Sequence, residues 1–251
     1  MIAFNENDLI LISGASTGIG RATALLCNEL GAKVIAVART RENLEALKNE
    51  AKFPENILIE SRDLSQNLEE LPDWVTELRK QYGKFSGFVH CAGYNTMAPF
   101  KCYDLKDAEK MFNIHFHAGM LLARGVTDRR NAQKPCSCVF ISSICTVTAL
   151  RMLTIYASAK GALLGAVKCM SKELSTQGIR VNCVSPALVR TPLTENYSNV
   201  VMGYDVLGKE DEIYPLGISE PIDIANSIVF LLSKASAKIT GQNIIIDGGR
   251  H

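Results

Sequence analysis

Apolar positions recur along this chain in two patterns, short unbroken runs and longer stretches with a helical period. Leu9 to Ile12 is a short apolar run that enters Ser13-Gly14-Ala15-Ser16-Thr17-Gly18-Ile19-Gly20. A helical pattern follows through Leu30 and stops at Gly31. Lys33 to Ala38 carries Val34-Ile35-Ala36-Val37, apolar at every position rather than at every second one. A strand apolar on both sides suits a parallel sheet covered by helices. The pattern then predicts a helix at about Arg41 to Ala51, a strand at Ile57 to Ser61, a helix at Leu68 to Tyr82 and a strand at Gly87 to His90. A long helix is expected around Asp107 to Arg124, then a strand at Cys138 to Ser142. A helix containing Tyr156 runs to about Gln177 and ends at Gly178. A strand at Arg180 to Val184, a helix at Ile222 to Leu232 and a strand at Asn243 to Ile246 complete the series. Strand–helix alternation throughout implies an α/β fold, a doubly wound parallel sheet of about seven strands with helices on both faces, in a single domain spanning 1–251.

One segment breaks the rhythm. Thr191 to Glu220 has no clear period and is rich in Tyr, Gly, Pro and acids, as substrate lids often are. Tyr197, Met202, Tyr204, Leu207 and Tyr214 suit a medium-sized, partly apolar substrate. Glu195, Asp205, Glu210, Asp211 and Glu212 are expected on its solvated outer face.

The chain has 251 residues, 47% of them hydrophobic, enough for a sizeable core. A net charge of +1 gives no electrostatic case for nucleic acid or an anionic membrane. No apolar run approaches the roughly 18 residues a membrane span needs. Met1 to Asp8 lacks the basic region of a signal peptide. Of the eight cysteines most sit inside apolar runs, and Cys136-Ser137-Cys138 is too tight for the usual zinc spacing. Reduced thiols, no metal site and a cytoplasmic location are the expectation.

Two constellations carry chemistry. Gly14-x-x-x-Gly18-x-Gly20 lies at the first strand-to-helix turn, where glycines let a pyrophosphate approach free N–H groups at a helix start. Tyr156 and Lys160 are four apart, so phenol and ammonium can share one helical face. A fixed cation lowers a phenol's pKa from about 10 and makes it a proton-transfer group. A bare Tyr-x-x-x-Lys is also what any amphipathic surface helix offers, so the pair gains meaning from its company.

With these features the sequence resembles the short-chain dehydrogenase/reductase family in its compact, single-domain Rossmann-fold form, over nearly the whole chain. The resemblance implies a phosphate-binding loop at Gly14, Ser16, Thr17, Gly18, Ile19 and Gly20, and an adenine contact at Asp63-Leu64. The family's Asn-Asn-Ala-Gly appears as His90-Cys91-Ala92-Gly93, which keeps the small residues at Ala92 and Gly93 and departs at His90 and Cys91. It implies catalytic roles for Asn113, Ser143, Tyr156 and Lys160, with Ser143 at the family spacing of thirteen residues before Tyr156, and Ser142 the less favoured neighbour. Asn182-x-x-x-Pro186 matches the segment beside the nicotinamide, with Ala187 where glycine is usual. Val189 and Thr191 match contacts to carboxamide and phosphate. Thr240-Gly241-Gln242 and Asp247-Gly248-Gly249 match the C-terminal signature.

On this resemblance Tyr156 exchanges a proton with a carbonyl or alcohol oxygen, and Lys160 lowers its pKa and holds the nicotinamide ribose. Ser143 orients the substrate, and Asn113 fixes a relay water. Ala38 fills the position where NAD-specific members carry an acid, and Arg39 follows, so NADP(H) is expected over NAD(H). Ser13, Ser16, Arg21 and Thr40 are candidates to add to the phosphate grip. The implied reaction is ketone–alcohol interconversion, with 3-oxoacyl-thioester reduction nearest in feel. Arg129, Arg130 and Lys172 lie where such enzymes meet an acyl carrier protein, though a solvated charged face explains them more simply. Alternatives are a sugar, polyol or steroid-like alcohol dehydrogenase, or a dinucleotide-binding regulator without turnover. A homotetramer is implied, built through the Asp107–Arg124 helix, the Tyr156 helix and the last strand, with no tail after it to block pairing. His115 and His117, two apart on a helix, are expected in packing or surface roles; Met170 and Cys169 on the buried face of the Tyr156 helix; Trp74 in helix packing.

Overall fold

Every residue of β1 (Leu9–Ser13) is buried, as is all of β2 (Lys33–Ala38) beyond its first residue. Strands of this kind need cover on both sides, and the architecture supplies it. The computed structural model describes residues 2–195 and 210–250. Among these residues β1 and β2 join β3 (Ile57–Ser61), β4 (Phe85–His90), β5 (Ala132–Ile141), β6 (Ile179–Pro186) and β7 (Asn243–Ile246) in one parallel sheet, ordered β3-β2-β1-β4-β5-β6-β7. One face is covered by α3 (Leu71–Tyr82), α5 (Ala118–Thr127) and α6 (Thr154–Ser175). The other is covered by α1 (Gly18–Glu29), α2 (Arg41–Glu50) and the Pro221–Leu232 helix. Strand order reverses between β1 and β4, which opens a crevice beyond their C-terminal ends.

The strand at Cys138 to Ser142 begins earlier than its apolar run, at Ala132, because exposed Lys134 and Pro135 interrupt the hydrophobic signal without breaking the extended path. The long helix is longer than expected and has a defect in it. α4 (Leu105–Phe112) starts at Asp104, whose side chain caps the Asp107 amide at 3.1 Å. It passes through a π-turn, Asn113–His117, before α5, and the Ala118 amide reaches back to the Asn113 carbonyl. Two further expectations are corrected. Cys169 is exposed, because the buried stripe of α6 is Ala159, Lys160, Leu163, Val167 and Ser171, and Cys169 falls between its rows. Met170 does pack against the core. Tyr214 is buried rather than lining a lid: the Arg250 guanidinium covers its ring at 5.4 Å and donates to its hydroxyl. Of the other lid residues, Tyr197, Met202, Tyr204, Asp205 and Leu207 lie outside the described residues, and Glu212 is exposed. No helix among the described residues is long and apolar enough to cross a membrane.

Candidate active site

A cleft of about 270 Å³ opens at the reversal point. Its floor is the glycine loop after β1, with Gly14, Ser16, Thr17, Gly18, Ile19 and Gly20 all lining it. Gly14 adopts φ +71°, and a Cβ there would stand 2.7 Å from the Ala92 amide nitrogen. A Cβ on Gly20 would meet the Gly14 carbonyl at 2.1 Å. Only glycine lets this turn fold against the β4 loop and present its N–H groups to the cleft, so the residues fit a dinucleotide pyrophosphate. Cys91, Ala92 and Gly93 line the side that β4 supplies, and Thr191 lies over Gly18.

Asp63 and Leu64 line the far end, with Arg39. The Asp63 carboxylate accepts from the Ser65 hydroxyl at 2.7 Å and the Ser65 amide at 2.9 Å. That hydroxyl chiefly, with smaller help from the amide and Arg39, holds its pKa below the ordinary carboxylate value despite some burial. Arg62, which the sequence did not single out, also lines the cleft; it pairs with Glu70 at 3.2 Å and lies over the Trp74 ring at 4.9 Å. Trp74 packs as expected against the core. Two residues named for the phosphate grip are engaged elsewhere. Ser13 is buried and bonds His90 at 2.8 Å, and Arg21 is forked onto Glu50.

α6 brings Tyr156 and Lys160 to one face, as their spacing requires: the Lys160 ammonium stands 5.8 Å from the Tyr156 ring centroid. Lys160 is buried, and its Nζ donates to the Ile141 carbonyl at the end of β5 at 2.7 Å. Burial pulls its pKa down to about 8, against smaller upward pulls from Cys91, Cys145 and Cys183. Ser143 lies two residues beyond β5 and interacts with the Tyr156 hydroxyl; its Oγ also accepts weakly from the Cys145 amide at 3.4 Å. Ser142 points the other way, donating to the Lys160 carbonyl at 3.0 Å. In the chain itself Tyr156 is not a lowered phenol: burial first, then the Cys145 thiol, push its pKa up, and only the Ser143 hydrogen bond pulls it down. Lys160 is not among the groups that shift it, and the Lys160 Nζ donates instead to the Ile141 carbonyl.

Asn113 sits at the start of the π-turn, its backbone carbonyl holding the Ala118 amide. Pro186 ends β6, and the Ala187 amide bonds the Ile246 carbonyl at 2.9 Å. The Val189 carbonyl accepts from the Thr194 hydroxyl at 2.6 Å, which also receives the Thr191 amide. Asn182 lies away from the cleft: buried, it ties β6 to the final segment through the Ile239 carbonyl and the Gln242 amide. Arg129 and Arg130 precede β5, at the N-terminal end of the strands and opposite the cleft, and Arg130 is forked onto Asp128 at 2.9 Å. Lys172 is near the C-terminus of α6, about 18 Å along the helix axis from Lys160 at 1.5 Å per residue.

His115 was the residue the pattern undervalued. It is 2% exposed, as a packing residue should be, but it packs against the Tyr156 ring edge-on, centroids 5.4 Å apart. His117 is on the surface.

A family model described as enoyl-(acyl carrier protein) reductase matches residues 14–251. The chain is 31% identical to a 3-oxoacyl-[acyl-carrier-protein] reductase of Thermotoga maritima, over 97% of this chain and 98% of that one. It is 34% identical to a D-erythrulose reductase of Gallus gallus, over 95% and 94%, and 32% identical to an L-xylulose reductase of Mus musculus, also over 95% and 94%. A solved short-chain dehydrogenase/reductase of Brucella melitensis, titled a glucose/ribitol dehydrogenase, superposes with a TM-score of 0.89 over 100% of this chain and 99% of that one at 27% identity.

Proposed function

We propose that this chain, which belongs to the short-chain dehydrogenase/reductase family, interconverts a ketone and a secondary alcohol with NADP(H), with Tyr156 moving the proton. It is an oxidoreductase acting on CH–OH groups with a nicotinamide dinucleotide, as its relatives are. The observation that carries the proposal is the meeting of Ser143, Tyr156 and Lys160 beside a glycine-floored cleft. When bound, the cofactor supplies or accepts the hydride. Glycine-loop amides hold its pyrophosphate, Asp63 and Leu64 its adenine end, and Cys91, Ala92, Gly93, Pro186, Ala187, Val189 and Thr191 the remainder.

Tyr156 Oη gives its proton to the carbonyl oxygen in reduction and takes one from the alcohol in oxidation. Ser143 Oγ holds that same oxygen in place. Lys160 remains cationic below about pH 8, available to the ribose hydroxyls and to the proton path past Asn113. The phosphate preference rests on Ala38, where no carboxylate repels a 2′-phosphate, and on Arg39 in the cleft wall.

Among ketones, two classes are named by relatives. A small ketose is favoured by the erythrulose and xylulose reductases. A 3-oxoacyl thioester on an acyl carrier protein is favoured by the Thermotoga relative. Within one chain, Arg129, Arg130 and Lys172 stand far from the cleft, which weighs toward the ketose. NADPH oxidation over a panel of ketoses, simple ketones and 3-oxoacyl thioesters decides. Turnover of a ketone supports the proposal, and no turnover on any member overturns it. A cytoplasmic homotetramer completes the reading. It is supported by the half-exposed isoleucines of β7 at the sheet edge, by exposed Phe100, Tyr103 and Leu105 leading into α4, and by eight unpaired thiols.

A further inference from the structure

Two buried histidines meet at the π-turn, His90 against it and His115 within it, and each reaches a different part of the site. His90 takes the place of a family asparagine at the end of β4. Its Nε2 lies 3.0 Å from the Ile114 carbonyl in the π-turn. A carbonyl only accepts, so Nε2 carries the proton and Nδ1 accepts from Ser13 Oγ at 2.8 Å. The ring fits because residue 119 is glycine: a Cβ there would be 2.7 Å from His90 Cδ2. β1, β4 and the π-turn are thus joined at one imidazole, directly beneath the glycine loop.

His115 continues the path from the π-turn itself. Its Nε2 lies 2.6 Å from the Tyr94 carbonyl and 3.2 Å from the Tyr94 amide; the shorter contact assigns the proton to Nε2, which then cannot also accept from the amide. A Cβ on Gly93 would stand 2.1 Å from His115 Cε1, so the ring fills the space that glycine leaves in the cleft wall. Its ring meets Tyr156 at 90° and 5.4 Å, within the range of favourable edge-to-face pairs. Its Nδ1 is buried and has no hydrogen-bond partner among the described residues. A residue kept for packing alone would leave no bare nitrogen there, since leucine or phenylalanine fills such a site without that cost.

We propose that His115 is a positioning residue for the reaction: one side chain fixes the Gly93–Tyr94 wall of the cofactor cleft through Nε2 and the Tyr156 ring through its edge, and so sets proton donor and cleft against each other. His90 holds the turn from which it acts. The inference rests on the proton-transfer role proposed for Tyr156.

The test compares His115→Phe, which keeps the ring edge and loses the hydrogen bond, with His115→Gln, whose amide can stand where Nε2–H does. Expected for His115→Phe is a fall in kcat on the order of tenfold or more, since small misplacements of reacting groups are costly. The substrate KM should change little, and kcat should recover in His115→Gln. Wild-type kcat in His115→Phe, or a loss that Gln does not rescue, overturns the proposal. Nitrogen-15 NMR of the wild-type protein without ligand reads the tautomer directly, and serves if a variant does not fold. A protonated Nε2 on a neutral His115 is expected, and a protonated Nδ1 overturns the proposal. Tyr156→Phe in the same assay separates the two readings. Full activity there removes the catalytic premise, while the NMR result still decides whether His115 holds Tyr94.

Discussion

The Nζ of Lys160 donates to the Ile141 carbonyl at 2.7 Å, and among the described residues no carboxylate pairs with it. A buried ammonium held by a carbonyl is a liability to the fold, kept at the C-terminal end of a central strand beside Tyr156 and Ser143. Its pKa is depressed to about 8 from 10.5. Between those values the unfolded chain binds the extra proton, so stability rises with pH through that window, and the penalty is complete below about pH 8. We predict that the stability of Lys160→Met relative to wild type declines by about 1.4 kcal/mol per pH unit from about pH 8 toward pH 10. Urea unfolding of both proteins across that range measures it, and a constant difference would contradict the assignment.

Tyr156→Phe keeps the ring that His115 meets and deletes the proton. Its fold and dinucleotide binding should stay near wild type while turnover drops about a hundredfold or more. Steady-state kinetics with a confirmed ketone, alongside a cofactor-binding titration, check both halves of this expectation.

Cofactor choice should turn on Ala38. Wild type is expected to prefer NADPH by about tenfold or more in kcat/KM, the effect of one charge-assisted contact from Arg39. Ala38→Asp adds a carboxylate where the 2′-phosphate would lie and should reverse the order. A wild-type preference for NADH would show that the missing acid had been given the wrong weight.

Acid should weaken the fold through His90. Burial, with Lys160 adding to it, holds its pKa down to about 3, against weaker support for the charged form from the Ile114 and His115 backbone. His115, buried near Lys160, is shifted the same way. The unfolded chain protonates near pH 6.5 and the folded chain does not until about 3, so stability falls as pH drops through that interval. His90→Asn, which cannot titrate, should lose about 1.4 kcal/mol less per pH unit between about 6 and 4. Parallel melts at a series of pH values would reveal equal slopes if the imidazole were already charged.

Much of this architecture could be read in advance because its signals are local. β1 and β2 declare themselves as unbroken apolar runs, the glycine loop by spacing, and Tyr156 and Lys160 by helical periodicity. The start of β5 could not be read, since Gln133, Lys134 and Pro135 look like a loop until Ala132 is seen paired with Phe85. The π-turn left no mark in the residue pattern at all. His115 looked like packing because Tyr94 and Tyr156, which give it meaning, are remote in sequence, and periodicity reports which face a residue occupies but not what waits there. The hydrogen bond of Lys160 could not be read for a related reason: spacing placed the ammonium near the Tyr156 ring, while the Ile141 carbonyl to which it donates comes from β5.

The adjacency of β1 and β4 sets a timetable for the ribosome. The edge of β1, just ahead of the glycine loop, stays bare until His90 at the end of β4 has emerged, and Ser143 and Tyr156 follow later still. A nascent chain therefore carries an exposed apolar strand edge while the residues from Gly14 to His90 are made, the kind of surface on which chains aggregate or chaperones dwell. The same long-range pairing that gives the finished protein its cleft leaves the unfinished one without any, so neither cofactor nor substrate can stabilise the fold before β4 has paired with β1.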